Sequence, residues 1–147
     1  MKRSWYKFRI KYSKQLDNGK TKKVSEEYLV DSVSFSDTES QAHKAATEVM
    51  GTRDFDVTHI SREAVSEIIG KGDDEDGHWY KANVSIFTES DDSEEKKVSS
   101  QVIYVHAEDT KQADTLLREH MKDSVFEWAV KSIGETKVLQ VFTYHSL

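Results

Sequence analysis

From Trp5 to Tyr12 the chain alternates without a break, with Tyr6, Phe8, Ile10 and Tyr12 on one face and Trp5, Lys7, Arg9 and Lys11 on the other. Alternation of period two predicts a strand with one buried face. The polar stretch Ser13 to Thr21 contains Asp17-Asn18-Gly19, a hairpin or loop signal, and a second strand is predicted from about Lys22 to Val33. Ser36-Asp37-Thr38-Glu39 then fits a capping box, in which the Ser hydroxyl and the Glu carboxylate take up orphaned amide donors at a helix start. The period changes accordingly: Ala42, Ala45, Ala46, Val49 and Met50 recur at helical spacing, and Gly51 ends the helix. From Phe55 to Ile69 the pattern is β again, as one bent strand or as two joined near Ser61-Arg62.

The same sequence of patterns then recurs. Trp5-Tyr6-Lys7 returns as Trp79-Tyr80-Lys81 and Lys22-Lys23-Val24-Ser25 as Lys96-Lys97-Val98-Ser99, both at an offset of 74; Gln41-Ala42 and Met50 return at 71, and Val57 and Ile60 at 73. Drifting offsets are what loop insertions leave when one unit is present twice. The second unit places Tyr80, Ala82, Val84 and Ile86 inside and runs a second strand from about Lys96 to His106. Asp109 with Gln112 forms its capping pair, and its helical stripe is Ala113, Leu116, Leu117, His120 and Met121, with His120 the one departure from apolar. The last β segment spans Trp128 to Phe142, where Val138 and Val141 answer Val65 and Ile68. Each unit reads as ββαβ. The expected fold is therefore α+β: a tandem pair of ββαβ units in one domain over residues 1–147, with repeats 5–70 and 79–143 joined by the acidic linker 71–78. Mostly antiparallel pairing, a continuous or face-packed sheet, two helices on one side and a pseudo-two-fold relation complete the expectation. Units of about seventy residues are marginal alone, so the halves are expected to share a core.

Composition narrows the function classes. Of 147 residues 36% are hydrophobic and 33% charged, polar for a globular chain but too rich in aromatic and β-branched residues for disorder. The absence of Cys excludes disulfides, thiol nucleophiles and thiolate metal sites. No apolar run is long enough to span a membrane, and Met1-Lys2-Arg3-Ser4-Trp5 lacks the apolar centre of a signal peptide, so a cytoplasmic protein is expected. The net charge of −6 hides a local excess: residues 1–23 hold nine basic side chains against the single acid Asp17. Such a stripe attracts polyanions even on an acidic protein.

Catalytic and metal signatures are not found. His43, His59, His78, His106, His120 and His145 share no metal-ligand spacing. In Asp73-Asp74-Glu75-Asp76, setting Gly77 at the sixth loop position puts Gly72 where the first calcium ligand belongs, so a solvated acidic linker is the reading. No phosphate loop, nucleophile elbow or triad spacing occurs, and neither enzyme activity nor a cofactor is expected.

One constellation stands out: the exterior row Trp5, Lys7, Arg9, Lys11 with its echo Trp79, Lys81, Asn83. A large ring on the polar face is ordinarily covered, by the other half or by a homodimer partner. Left open, rings and cations on a sheet form a stacking platform for single-stranded nucleic acid, with Trp5 and Trp79 stacking on bases and Lys7, Arg9, Lys11, Lys22, Lys23 and Lys81 near phosphate.

The order Trp5-Tyr6-Lys7, Lys22-Lys23-Val24-Ser25, Tyr28-Leu29-Val30-Asp31-Ser32-Val33-Ser34-Phe35-Ser36, a short Ala-rich helix and Phe55-Asp56-Val57-Thr58 resembles a family of small uncharacterised proteins of anaerobic gut bacteria and their bacteriophages. The likeness spans nearly the whole chain. It implies a phage or mobile-element setting, transfers no catalytic residue, and leaves the acidic insert Ser90 to Glu95 as a departure. The expectation is a non-enzymatic protein that binds single-stranded nucleic acid. The rivals are a protein-interaction module, such as a host-defence inhibitor or host-modifying factor whose acidic half (Asp73 to Asp76, Asp91 to Glu95) engages a basic partner, and a nucleotide or other small-ligand binder between the repeats.

Overall fold

The structure is a computed structural model, described here for residues 2–72, 76–89 and 95–144. The acidic residues Asp73, Asp74, Glu75, Asp91, Asp92 and Glu94 and the histidine His145 lie outside the described residues. The fold is α+β, with two mostly antiparallel four-stranded sheets and two helices.

The chain divides into two compact units, Met1–Ala64 with Lys137–Leu147, and Val65–Thr136. In the first, β1 (Ser4–Gln15) and β2 (Thr21–Ser32) form the predicted hairpin, closed at Gly19 with φ 81°, which a side chain rarely adopts. Helix α1 (Phe35–Lys44) follows and continues as a π-helical turn, Ala45–Val49. Then β3 (Phe55–Glu63) pairs antiparallel with β1. The second unit opens with the short β4 (Glu67–Ile69), so the segment Phe55 to Ile69 is two strands. Its own hairpin is β5 (His78–Glu89) and β6 (Lys96–Ala107), followed by α2 (Thr110–Met121) and β7 (Glu127–Glu135). The last strand, β8 (Val138–Phe142), belongs to the first unit.

The sheets run β3-β1-β2-β8 and β7-β5-β6-β4, and among the described residues the pairing is antiparallel except where β8 joins β2 and β4 joins β6. The strand following β3 therefore completes the second unit's sheet, while the strand following β7 completes the first's. Among the described residues each unit has a buried cluster of its own. One gathers Phe8, Ile10, Tyr28 and Val30 beneath Ala42 and Ala46, with Phe142; the other gathers Ala82, Val84, Ile103 and Val105 beneath Ala113 and Leu117.

Register corrects the alignment read from identities. The hairpins pair Tyr12 with Val24 and Ile86 with Ser99, so β2 answers β6 at an offset of 75 and the Lys-Lys-Val-Ser match at 74 is one residue out. One residue exchanges the faces of a strand, which is why Val98 is exposed. The helices correct in the same sense. Helix α1 is capped by Ser34, whose hydroxyl accepts from Asp37 N–H at 3.0 Å, while the Asp37 carboxylate accepts from Val33 N–H at 3.1 Å. The capping box thus begins at Ser34 rather than Ser36. Asp109 caps the start of the second helix as expected, its carboxylate accepting from Gln112 N–H at 2.7 Å, while the Gln112 side-chain oxygen accepts from Glu108 N–H at 2.7 Å. Caps at Ser34 and Asp109 place Thr38, Ala42 and Ala46 opposite Ala113, Leu117 and Met121, all buried, one turn from the match at 71. A four-residue slip nearly preserves the face, so periodicity does not detect it. Of the predicted stripe, Val49 and Leu116 are exposed, and His120 turns outward to pair with Glu67 of β4. A bulge recurs as well, Thr58 being skipped between His59 and Val57 and Lys131 between Ser132 and Val130.

Candidate functional site

The exterior row of β1 is flanked by acids. Cross-strand register sets Asp31 and Glu63 beside Trp5, and Glu27 beside Arg9. Arg9 Nη2 donates to Glu27 Oε1 at 2.7 Å, Lys7 Nζ lies 3.3 Å from Glu63, and Arg3 lies 3.6 Å from Asp31. Burial pushes the Asp31 carboxyl above its ordinary value and Arg3 draws it part of the way back. Lys7 and Arg9 are thereby members of an ion-pair ladder across three strands, and a phosphate would have to displace a carboxylate to reach them. Trp5 is half-buried.

The echo in the second unit does not present an open platform. Trp79 is 2% exposed, with its ring edge-on to His106 at 4.9 Å between centroids. Gly72, at φ 73°, approaches so closely that a Cβ there would lie 3.0 Å from the Trp79 ring. Thr136 fixes the Trp79 carbonyl with both its N–H and its hydroxyl, at 2.9 and 2.8 Å. A ring so enclosed has no face for a base. Lys81 is half-buried, and Asn83 donates to Ser132 Oγ at 2.9 Å. Trp5 and Trp79 occupy corresponding strand positions in separate sheets.

Lys11, Lys22 and Lys23 lie elsewhere, in or beside the far end of the first hairpin. Strand β3 reaches only as far as Tyr12, paired with Phe55, and β8 spans only Glu27 to Val30 of β2. Beyond these limits the pairs Ser13–Lys23, Lys14–Lys22 and Gln15–Thr21 stand as a two-stranded ribbon in which every residue from Ser13 to Lys23 is exposed. Lys14 and Lys22 face each other directly, an arrangement that costs energy in a hairpin by itself. The corresponding pair in the second unit is Thr88–Lys97, so the fold does not require two lysines there. Lys11 and Lys23, on the other face, line a shallow cleft of about 190 Å³ with Phe55, Asp54 and Asp56.

Sequence reasoning missed one constellation at the ribbon's base. Tyr12 and Tyr28 both donate to Glu26, at 2.6 and 2.5 Å, one to each carboxylate oxygen. Burial, the bond to Glu26 and its negative charge push the Tyr12 phenol up to about 12 and raise Tyr28 further. The corresponding residues in the second unit are Ile86, Gln101 and Ile103. Neutral phenols bonded to a carboxylate are donors already engaged, which suits a structural clamp at the point where the hairpin leaves the sheet. Alternation placed Tyr12 on the inner face, but the register that sets Glu26 and Tyr28 beside it follows only from the pairing.

Charge separates by unit. The first holds thirteen Lys/Arg against ten Asp/Glu, and the second eight against seventeen. Among the described residues no group of three His, Asp or Glu is placed to hold a metal ion, and no helix is long and apolar enough to cross a membrane. No curated protein and no solved structure matches the chain. One family does match, over residues 4–144, and by that match the chain belongs to the family described as a domain of unknown function, DUF4494.

Proposed function

We propose that this chain is a non-enzymatic binding module that holds the phosphate backbone of a nucleic acid on the β1–β2 ribbon. The observation that carries the reading is the ribbon itself: Lys14, Lys20, Lys22 and Lys23 project from eleven exposed residues whose one acid is Asp17, with Lys11 at the base. Where β1 is supported on both sides, its cations face carboxylates from β2 and β3; in the ribbon the residues opposite lysine are serine and lysine. Phosphate would supply the counter-charge that the facing pair Lys14–Lys22 lacks, whereas Lys11 and Lys23 share their cleft with Asp54 and Asp56 and would contribute at its edge. Relative to the expectation from sequence, Lys11, Lys22 and Lys23 keep a role in this reading, whereas Lys7, Arg9 and the buried ring of Trp79 support the fold. A cytoplasmic setting in a phage or other mobile element fits such a module.

The test is fluorescence anisotropy of a labelled random-sequence oligonucleotide at low salt. Binding should weaken steeply as salt rises. Replacing Lys11, Lys14, Lys22 and Lys23 together with Gln should abolish it while leaving the thermal midpoint within a few degrees, since exposed substitutions cost about 0.5 kcal/mol or less each. Absence of binding by the unaltered chain would reject the reading.

A second reading, a protein-interaction module, is favoured by one feature of the acidic unit. Phe87, Val125 and Phe126 line an open cleft of about 420 Å³ edged by Glu89, Lys96 and Glu127, the last two paired with each other, and Val125 is 89% exposed. An apolar floor with two carboxylates against one lysine on its rim suits an apolar peptide segment carrying a basic residue. Binding of such a peptide that is lost on Phe126→Ser, with no oligonucleotide bound, would make this the function.

A further inference from the structure

We infer that the β1–β2 ribbon enters the major groove of B-form duplex DNA, tip first, with its two faces toward the two phosphate walls. The inference rests on the reading of the ribbon as a phosphate-binding element and goes beyond it by naming the nucleic acid and the groove.

Three features distinguish a groove from a single strand. The first is where the cations point. Paired residues share a face, so Lys14 and Lys22 lie on one side of the ribbon and Lys23 on the other, with Lys11 below it at the ribbon's base beside Asp56. A single strand presents phosphate to one side of a binding surface; a groove presents it on both. The second is chemistry. Residues Ser13 to Lys23 include no aromatic side chain, so the stacking that dominates single-strand recognition has nothing to act on there, and the Trp79 ring is enclosed elsewhere. The third is size. A β layer with its side chains is about 10 Å thick, close to the major-groove width of about 12 Å and well above the minor-groove width of about 6 Å. Three unsupported pairs at about 3.4 Å per residue reach about 10 Å before the turn is counted, against a groove depth of about 8.5 Å.

Inside a groove the tip supplies groups of the right kind for base edges. The Gln15 amide and the Thr21 hydroxyl lie opposite each other at the last pair, and Leu16 adds an apolar contact suited to a thymine methyl. Asn18 is committed to the turn, its side-chain oxygen accepting from Lys20 N–H at 3.0 Å. The deep, narrow major groove of A-form RNA would not admit the ribbon, so the proposal is specific to DNA.

The experiment compares, with the full chain, a labelled duplex DNA, each of its single strands and the duplex RNA of the same sequence. Duplex DNA should bind about tenfold tighter or more than the others. Its logarithmic salt slope should flatten by about 2 in the Lys14→Gln, Lys22→Gln double variant, at ~0.9 per phosphate contact. Guanine N7, which lies in the major groove, should be protected from methylation in the complex. Equal or tighter binding of a single strand, or tight duplex binding with N7 unprotected, would overturn the groove while leaving the phosphate-binding reading standing. Failure of all probes to bind at low salt would overturn both.

Discussion

Phe142 stacks on Phe8, with ring centroids 6.5 Å apart and planes 11° from parallel, although one residue lies in the first strand and the other in the last. Tyr28 completes the stack, 5.5 Å from Phe8 and 5.9 Å from Phe142. Because β8 forms the outer strand beside β2, the first unit is finished only when β8, which follows the whole second unit in sequence, is in place. Phe142→Ala should therefore cost about 3–5 kcal/mol. Hydrogen exchange locates the loss: amides of Phe8, Tyr28 and Val30 should lose more protection than those of Ile103 and Val105. Equal loss in both sets would mean that the units unfold as one, and no loss would place Phe142 outside the core.

The same exchange gives a prediction for a fragment. Residues 1–70 contain β4, which has no partner strand within them, and lack β8. Expressed alone they should fail to show a cooperative transition, and adding a peptide of residues 137–147 should restore order to the fragment. A well-folded fragment without the peptide would show that the parallel edge strand is dispensable.

Gly77 is held to its identity by its neighbour rather than by its backbone. A Cβ there would lie 2.1 Å from Cε1 of His106, whose ring is edge-on to Trp79. Gly77→Ala should swing the imidazole away, at a cost of about 1–3 kcal/mol, and shift the tryptophan emission to the red as Trp79 gains water. Pairing the change with His106→Ala should remove most of the additional cost, because the clash is with the ring. Additive effects in the double variant would show that the strain lies in the backbone instead.

Strand, helix and turn positions were legible because each depends on local spacing. Tyr6, Phe8 and Ile10 alternate, Asp17-Asn18-Gly19 turns the hairpin, and Asp109 with Gln112 caps α2. What depended on register was not legible. Identity of Lys22-Lys23-Val24-Ser25 with Lys96-Lys97-Val98-Ser99 suggested equivalence, yet the pairing of Tyr12 with Val24 and of Ile86 with Ser99 makes the match one residue out. The basic row suffered likewise. Lys7 and Arg9 read as projecting cations until Glu63 and Glu27 arrive from neighbouring strands. Nor does periodicity indicate which hairpin a short parallel edge strand joins, so the exchange of β4 and β8 lay beyond it.

The Tyr12–Glu26–Tyr28 clamp gives alkaline sensitivity of definite sign. In the folded state Tyr12 is raised from 10.0 to about 12, and Tyr28 shifts in the same direction. A raised value means that the folded state keeps its proton more tightly than the unfolded chain. The stabilisation is therefore complete below pH 10.0 and is lost as pH rises through about 12. Stability measured across that window should fall, and tyrosinate absorbance should lag behind that of the denatured chain. Glu26→Gln should narrow the lag without abolishing it, since burial is the larger cause for both phenols. An unchanged lag would show that Glu26 contributes nothing.

Ala42 and Leu117 occupy one position in two sizes. Caps at Ser34 and Asp109 set the correspondence, and both side chains are wholly buried against their own sheets. Leu117→Ala should open a cavity and cost about 2–5 kcal/mol. Its mirror, Ala42→Leu, should be destabilising too, by about 1–3 kcal/mol, because Ala42 is wholly buried in the cluster that holds the Phe8, Tyr28 and Phe142 rings and three more carbons must displace neighbours there. Chemical denaturation of each variant checks both. If Ala42→Leu is neutral, the space above the first sheet is loosely filled, and a correspondence of Ala42 with Ala113 would again be admissible. If Leu117→Ala costs less than about 0.5 kcal/mol, the residue packs against nothing and the helix register is wrong.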